Sequence, residues 1–244
     1  LGAIGSSVAD VALTLGMQVL GYDPKLSVDA AWRLPSAVEH IEALGTLLAR
    51  SDYITLHVPA VESTRHLINA ETVVQMKPDA VLLNFARGSI VDARAVRAAL
   101  DAGKLRHYVC DFPTPELLGT DRVIATPHIG ASTAEAEDNC AVMAAEELKA
   151  FLQHGEIRNS VNYPAVYMER TPEATRIAFS NWNVAGVLGK VLAVLANAGV
   201  NVLDMSNRSR GDLAYNLIDV ADMPENGIVD AIRNVKEVIR VRVI

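Results

Sequence analysis

The chain has 244 residues, 50% of them hydrophobic and 21% charged, enough for one large domain or two ordinary ones with packed cores. Its formal net charge of -7 argues against binding nucleic acid or anionic membranes through bulk electrostatics. The cysteines, Cys110 and Cys140, form neither a disulfide framework nor a zinc spacing, so reduced thiols in a cytoplasmic protein without a metal site are expected.

The alternation of apolar runs and amphipathic stretches from Leu1 to about Gly130 predicts strand and helix in turn, hence an α/β doubly wound parallel sheet with crossover helices. Leu1-Gly2-Ala3-Ile4-Gly5 lacks the basic start of a signal peptide and reads as a motif entered midway. Val8, Val11, Ala12 and Leu15 recur at helical spacing, and Gly16 is a plausible stop. Met17 to Tyr22 and Asp52 to Val58 read as buried strands, the second closed by Pro59. Three more strands are expected at Val81–Ala86, Tyr108–Phe112 and Val123–Thr126, with a helix from Val91 to Ala102 closed by Gly103. Ser132-Thr133-Ala134-Glu135 fits a capping box with Ser132 as N-cap. The helix it opens, 132–154, carries Val142, Ala145, Leu148 and Leu152 on the face expected to be buried.

Residues 156–173, with two prolines among mixed charges, read as a linker. Beyond it come a strand at Arg176–Ser180, a helix at Val184–Ala198, a strand at Val200–Ser206, a turn at Arg210-Gly211-Asp212 and a strand at Leu213–Val220. A short helix at Ile228–Asn234 and a strand at Val238–Ile244, with Arg240 and Arg242 facing outward, complete a βαββαβ module of the ferredoxin-like type. The most apolar stretch, Val184 to Val200, is interrupted by Lys190 and Asn197, so no membrane span is expected.

Arg87, Glu116 and His128 each follow one of the three strands. Ligands of open parallel sheets bind beyond the carboxyl ends of the strands, so a cation, an acid and an imidazole delivered there can meet on one small molecule. His128 would move a proton, Glu116 would orient and charge-stabilise it, and Arg87 would hold an anionic substrate. Gly2 and Gly5 open a helix, and Asp23 ends the strand after it. Glycines where a backbone approaches a pyrophosphate, then an acid for ribose hydroxyls, are what a dinucleotide site needs. Asp23 favours NAD over NADP because its carboxylate repels a 2′-phosphate.

With these segments assembled, the chain resembles the D-isomer-specific 2-hydroxyacid dehydrogenases. The matching runs are Leu-Gly-Ala-Ile-Gly at 1–5, Thr-Leu-His-Val-Pro at 55–59, Asn-Phe-Ala-Arg-Gly-Ser-Ile-Val-Asp at 84–92 and Thr-Pro-His-Ile-Gly-Ala-Ser-Thr at 126–133. The resemblance implies a Rossmann-like NAD-binding domain over 1–155 and makes Arg87, Glu116 and His128 the catalytic set. It places Gly2, Ile4, Gly5, Asp23, His57, Pro59, Ala86 and Gly130 at NAD, with Asp111 meeting the nicotinamide carboxamide. Around Glu116 the chain reads Asp-Phe-Pro-Thr-Pro-Glu, where the family more often has an acidic run ending Glu-Pro. The activity implied is NAD-dependent oxidation of 3-phospho-D-glycerate, with glyoxylate or hydroxypyruvate reduction as the alternative.

Residues 174–244 resemble an ACT domain, an amino-acid-sensing module. That resemblance puts Asn181, Asn183 and Asn201 at a regulatory ligand, with L-serine as the expected effector, and implies a homo-oligomer, dimer or tetramer. Asn181 stands where serine-inhibited members often have His, and the asparagines could equally cap the helix and the turn. The family's substrate domain is built mostly from a segment before the dinucleotide fold, which is expected to precede Leu1. Two further readings remain open, a non-catalytic NAD-responsive corepressor and a ligand-sensing regulatory fragment.

Overall fold

The computed structural model describes residues 1–221 and 226–244, which divide into two compact units, Leu1–Ile129 and Gly130–Ile244. The long helix grouped from sequence with residues 1–155 clusters with the second unit.

The first unit runs α1 (Ala3–Thr14), β1 (Leu20–Gly21), α2 (Val28–Ala31), β2 (Glu39–His40), α3 (Leu44–Arg50), β3 (Tyr53–Leu56), α4 (Ala70–Gln75), β4 (Ala80–Asn84), α5 (Ala93–Asp101), β5 (Leu105–Cys110) and β6 (Val123–Ala125). All its ladders are parallel, in two pieces rather than one continuous sheet: β1 pairs with β2, and β3-β4-β5-β6 lie in chain order. Parallel strands covered on both faces read as unbroken apolar runs, and Ala80, Val81 and Leu82 of β4 are accordingly buried. Leu48 of α3, Val73 of α4 and Val96 and Leu100 of α5 complete the core around Ile54, Leu82 and Tyr108. Asp92 starts α5 by accepting from the backbone N–H groups of Arg94 and Ala95.

A Cβ at Gly21 would stand 2.8 Å from Leu1 Cδ1 and 3.0 Å from Val38 Cγ1, so a larger residue there would push those side chains aside. The apolar stripe of α1 departs from expectation: Val11 and Leu15 are exposed, and the helix buries only Gly5 and Ala9.

The second unit opens with α6 (Ala134–His154) and continues as β7 (Thr175–Trp182), α7 (Val187–Asn197), β8 (Val202–Arg210), β9 (Leu213–Val220), α8 (Asn226–Arg233) and β10 (Val238–Val243). Its antiparallel sheet has the order β10-β7-β9-β8, the ferredoxin-like arrangement expected from the sequence. Alternate residues feed two faces. Ile177, Phe179, Ile218 and Val220 pack under Val191 and Leu195 of α7 and Ile232 of α8.

The opposite face is also covered, by the stretch taken for a linker. Ile157 and Val166 bridge each other and, with Met168, are buried against Ala178, Tyr215 and Leu217. Arg242 does not face outward as expected, because its guanidinium lies 3.9 Å from the centre of the Phe151 ring. The N-cap of α6 is Thr133, not Ser132, for it is the Thr133 hydroxyl that accepts the Ala136 N–H. Val142, Leu148 and Leu152 of α6 are exposed, and the helix buries only Ala150.

Candidate active site

Arg87, Asp111 and His128 stand just beyond the carboxyl ends of β4, β5 and β6, three neighbouring parallel strands. Cys110 pairs with Ala125, so the segments downstream of these strands leave the sheet side by side. His128 Nδ1 lies 2.7 Å from Asp111 Oδ2, and Asp111 is 9% exposed at its side chain where His128 is 44% exposed. The Phe112 ring stacks tilted on His128 with centroids 4.2 Å apart, and the Arg87 guanidinium sits 5.6 Å from the Phe112 ring centre. Phe112 thus holds the cation and the imidazole on one edge of the sheet.

Glu116 is not part of this cluster. It lies on an exposed loop after Pro113 and Pro115, and its carbonyl oxygen accepts from Arg97 of α5. Its carboxyl is held below the ordinary value by its own backbone N–H, then by Thr114 and the charge of Arg94. The acid expected to orient His128 is therefore replaced in the structure by Asp111.

Two contributors escaped the sequence reading. Phe112 is one. Asn84 is the other: fully buried, its amide donates to the Arg87 carbonyl at 3.0 Å and the Tyr108 hydroxyl at 3.3 Å while its oxygen accepts the Ala86 N–H. A polar residue ending an apolar strand was the available signal. Asn84→Ala is expected to cost about 1–3 kcal/mol through the partners left unmade. It should also loosen Arg87, seen as a raised KM for substrate in the intact protein, with a denaturant titration reading the stability loss.

The glycine loop, Asp23 and His57 fit a dinucleotide on three observations. Nothing lies within 4 Å of where a Gly2 Cβ would be, which leaves the backbone there open to close approach, and His57 packs on Gly5 with its Cβ 3.4 Å from the equivalent point. A mostly apolar cavity of about 400 Å³ lies at β1 and β2, its lining including Gly21, Leu26, Ala31, Leu34, Val38 and His40. Asp111 Oδ1 is buried without a hydrogen-bond partner, leaving an acceptor for an amide such as nicotinamide carries.

Asp23 accepts the Lys25 N–H at 2.9 Å. His57, bonded to the Thr55 hydroxyl at 2.9 Å, is held below the ordinary imidazole pKa by burial. Of the other expected residues, Ala86 is half-buried in the Asn84 loop, Ile4 and Pro59 are exposed, and Gly130 begins the second unit. Among the described residues no cluster of His, Cys, Asp and Glu is placed to hold a metal ion, and no helix is long and apolar enough to cross a membrane.

In the second unit Asn181 is 5% exposed and engaged within the sheet, donating to the Trp182 carbonyl and accepting from Asn216. Asn183 donates to the Gly211 carbonyl, and Asn201 is exposed. The structure brings Asn183 to the β8–β9 turn but ties Asn181 into a ladder with Asn216 and Asn207.

A parallel sheet with a glycine-opened helix, an acid after its first strand and an acid–imidazole pair at its carboxyl edge defines a nucleotide-dependent enzyme domain. Residues 1–130 match the family model described as "D-isomer specific 2-hydroxyacid dehydrogenase, NAD binding domain". The chain belongs to that family. It is 32% identical to a D-3-phosphoglycerate dehydrogenase of Haemophilus influenzae over 100% of this chain and 61% of that protein. It is 43% identical to a hydroxypyruvate reductase of Thermotoga maritima over 60% of this chain and 49% of that protein. Among solved structures it resembles a D-lactate dehydrogenase from Aquifex aeolicus complexed with NAD and lactic acid, at a TM-score of 0.51 and 32% identity, covering 62% of this chain and 51% of that one. The chain thus spans 61% or less of the curated relatives it matches here.

Proposed function

We propose that the protein containing this chain oxidises a D-2-hydroxy acid with NAD, and that the acid is 3-phospho-D-glycerate. The observation that carries the chemistry is the Asp111–His128 pair beside Phe112 and Arg87. Bound NAD would supply the hydride acceptor. Gly2, Gly5, Asp23 and Asp111 would hold it.

Arg87 would pair with the substrate carboxylate and polarise the oxygen on C2. Asp111 accepts from Nδ1 of His128, which fixes the tautomer and leaves Nε2 free to take the hydroxyl proton as hydride departs. Asp111 also stabilises the imidazolium that forms. This gives Asp111 the orienting role that the family resemblance assigned to Glu116.

The substrate choice is supported by the Haemophilus influenzae relative, whose similarity runs through the second unit as well as the first. The Thermotoga maritima relative supports hydroxypyruvate reduction instead. NADH formation by the intact protein with 3-phosphoglycerate decides between them. Turnover of hydroxypyruvate without any of 3-phosphoglycerate overturns the assignment.

The second unit is proposed to be an ACT module. Its strand order supports this, and Asn183 at the β8–β9 turn with Asn201 would be its polar contacts for L-serine. The exposed edge strand β8 would pair with a second copy and make the protein a homo-oligomer. Titration with L-serine tests the first part, and sedimentation the second.

A further inference from the structure

We propose that the second unit binds a small apolar carboxylate in the cavity between the non-helical face of its sheet, the last turns of α6 and residues 156–163. The cavity holds about 600 Å³, within the range of small-molecule sites. Its walls are mostly apolar, with Phe151 from α6, Ile157 and Tyr163 from the next stretch and Ala178 from β7. Walls of this kind exclude water from a ligand's body and leave a few polar groups to fix its orientation.

Arg158 and Ser160 of the lining are bonded to Glu156 and Asn162, which leaves Ser180, Tyr215, Arg240 and Arg242 to face a ligand. Tyr215 is 5% exposed, and its hydroxyl is buried without a hydrogen-bond partner in a wall of the cavity. Arg240 and Arg242 stand opposite Ser180 and Ala178 in the β10–β7 ladder, so both point to this face. Arg242 is anchored on Phe151, by its ring and its carbonyl oxygen. Arg240 has no hydrogen-bond or ion-pair partner among the described residues and is left to meet an anion.

Glu156 at the cavity is paired with Arg158, and Glu147 accepts from Asn159 at 2.6 Å. An unpaired guanidinium and a hydroxyl beside apolar walls match a carboxylate carried on an aromatic or branched body.

Calorimetric titration of the chain with 3-phenylpropionate and 3-phenylpropanol tests the assignment. The acid is expected to bind saturably at millimolar or tighter affinity, with the alcohol about tenfold weaker, as loss of a charge-assisted bond implies. Arg240→Gln should weaken the acid about tenfold and erase its advantage over the alcohol. Tyr215→Phe should weaken it several-fold while leaving the melting temperature unchanged or higher, because the hydroxyl it removes has no partner in the free chain. Absence of saturable binding overturns the proposal. So does equal binding of alcohol and acid, or indifference of the acid to Arg240→Gln.

Discussion

Replacing His128 by Ala is expected to lower turnover about 10²–10⁴-fold in the intact protein, the range that a positioned general base contributes. NAD affinity should stay near that of the parent, since the glycine loop and Asp23 lie on other elements. The more informative variant is Asp111→Asn. Among the described residues only Asp111 hydrogen-bonds the imidazole, 2.7 Å from Nδ1, and an amide in its place would no longer hold the tautomer that leaves Nε2 as acceptor. A fall in kcat of tenfold or more, with a smaller change in KM, is expected. Glu116→Gln should change kcat far less, because Glu116 is exposed and bonded elsewhere. Steady-state assays of the three variants with whichever hydroxy acid the parent oxidises separate the possibilities. If Glu116→Gln were the slow enzyme and Asp111→Asn the fast one, the orienting acid would be the one inferred from the family pattern.

That exchange of acids shows where sequence reading stops. The strand run before Arg87 was readable because a strand buried on both faces is an unbroken apolar segment, whereas β6 before His128 is an exposed edge strand read from its apolar residues alone; residues just past either end emerge at the ligand edge. Which acid then turns toward the imidazole depends on register. Cys110 opposite Ala125 carries Asp111 alongside His128, while Pro113 and Pro115 lead Glu116 away toward Arg97. No spacing along the chain encodes that. The same gap explains α1 and α6: helical periodicity identified Leu15 and Leu148 as an apolar face, and periodicity does not say what covers it. Residues 156–173 failed for the converse reason. Prolines and mixed charge hid the apolar residues Ile157, Val166 and Met168, which bury themselves without any helical or strand period. The βαββαβ order, by contrast, came through nearly whole, and Gly211, at φ 58°, marks the turn where it was expected.

The second large effect lies beneath that covering stretch. Arg176 and Asp219, neighbours in the β7–β9 ladder, are both fully buried and joined at 2.6 Å and 2.8 Å. The remaining guanidinium donors go to the carbonyl oxygens of His154, Met168 and Glu169, and Asp219 also accepts the Thr171 N–H. The pair therefore ties the end of α6 and the stretch after it to the sheet. Removing one partner strands a charge with no water to take its place, so Asp219→Asn is expected to lower stability by about 3–5 kcal/mol, a large part of a domain's total. Replacing both, as Arg176→Met with Asp219→Leu, should recover much of that loss, because an apolar pair needs no desolvation.

The pH dependence has a definite sign. Burial raises the Asp219 pKa, but the Arg176 guanidinium and the Thr171 N–H outweigh it and hold the carboxyl below its ordinary value of 3.8. A folded pKa below the unfolded one gives stability that is complete above about pH 4 and drains as the pH falls toward the folded value. Urea unfolding followed by Trp182 fluorescence, in a Trp32→Phe background, should show the parent losing stability as the pH falls below 4 and Asp219→Asn losing less over the same interval. A loss at pH 7 of under about 1 kcal/mol in Asp219→Asn would put the pair in the class of exposed ion pairs. The fastening of residues 154–171 to the sheet would then rest on Ile157, Val166 and Met168 instead.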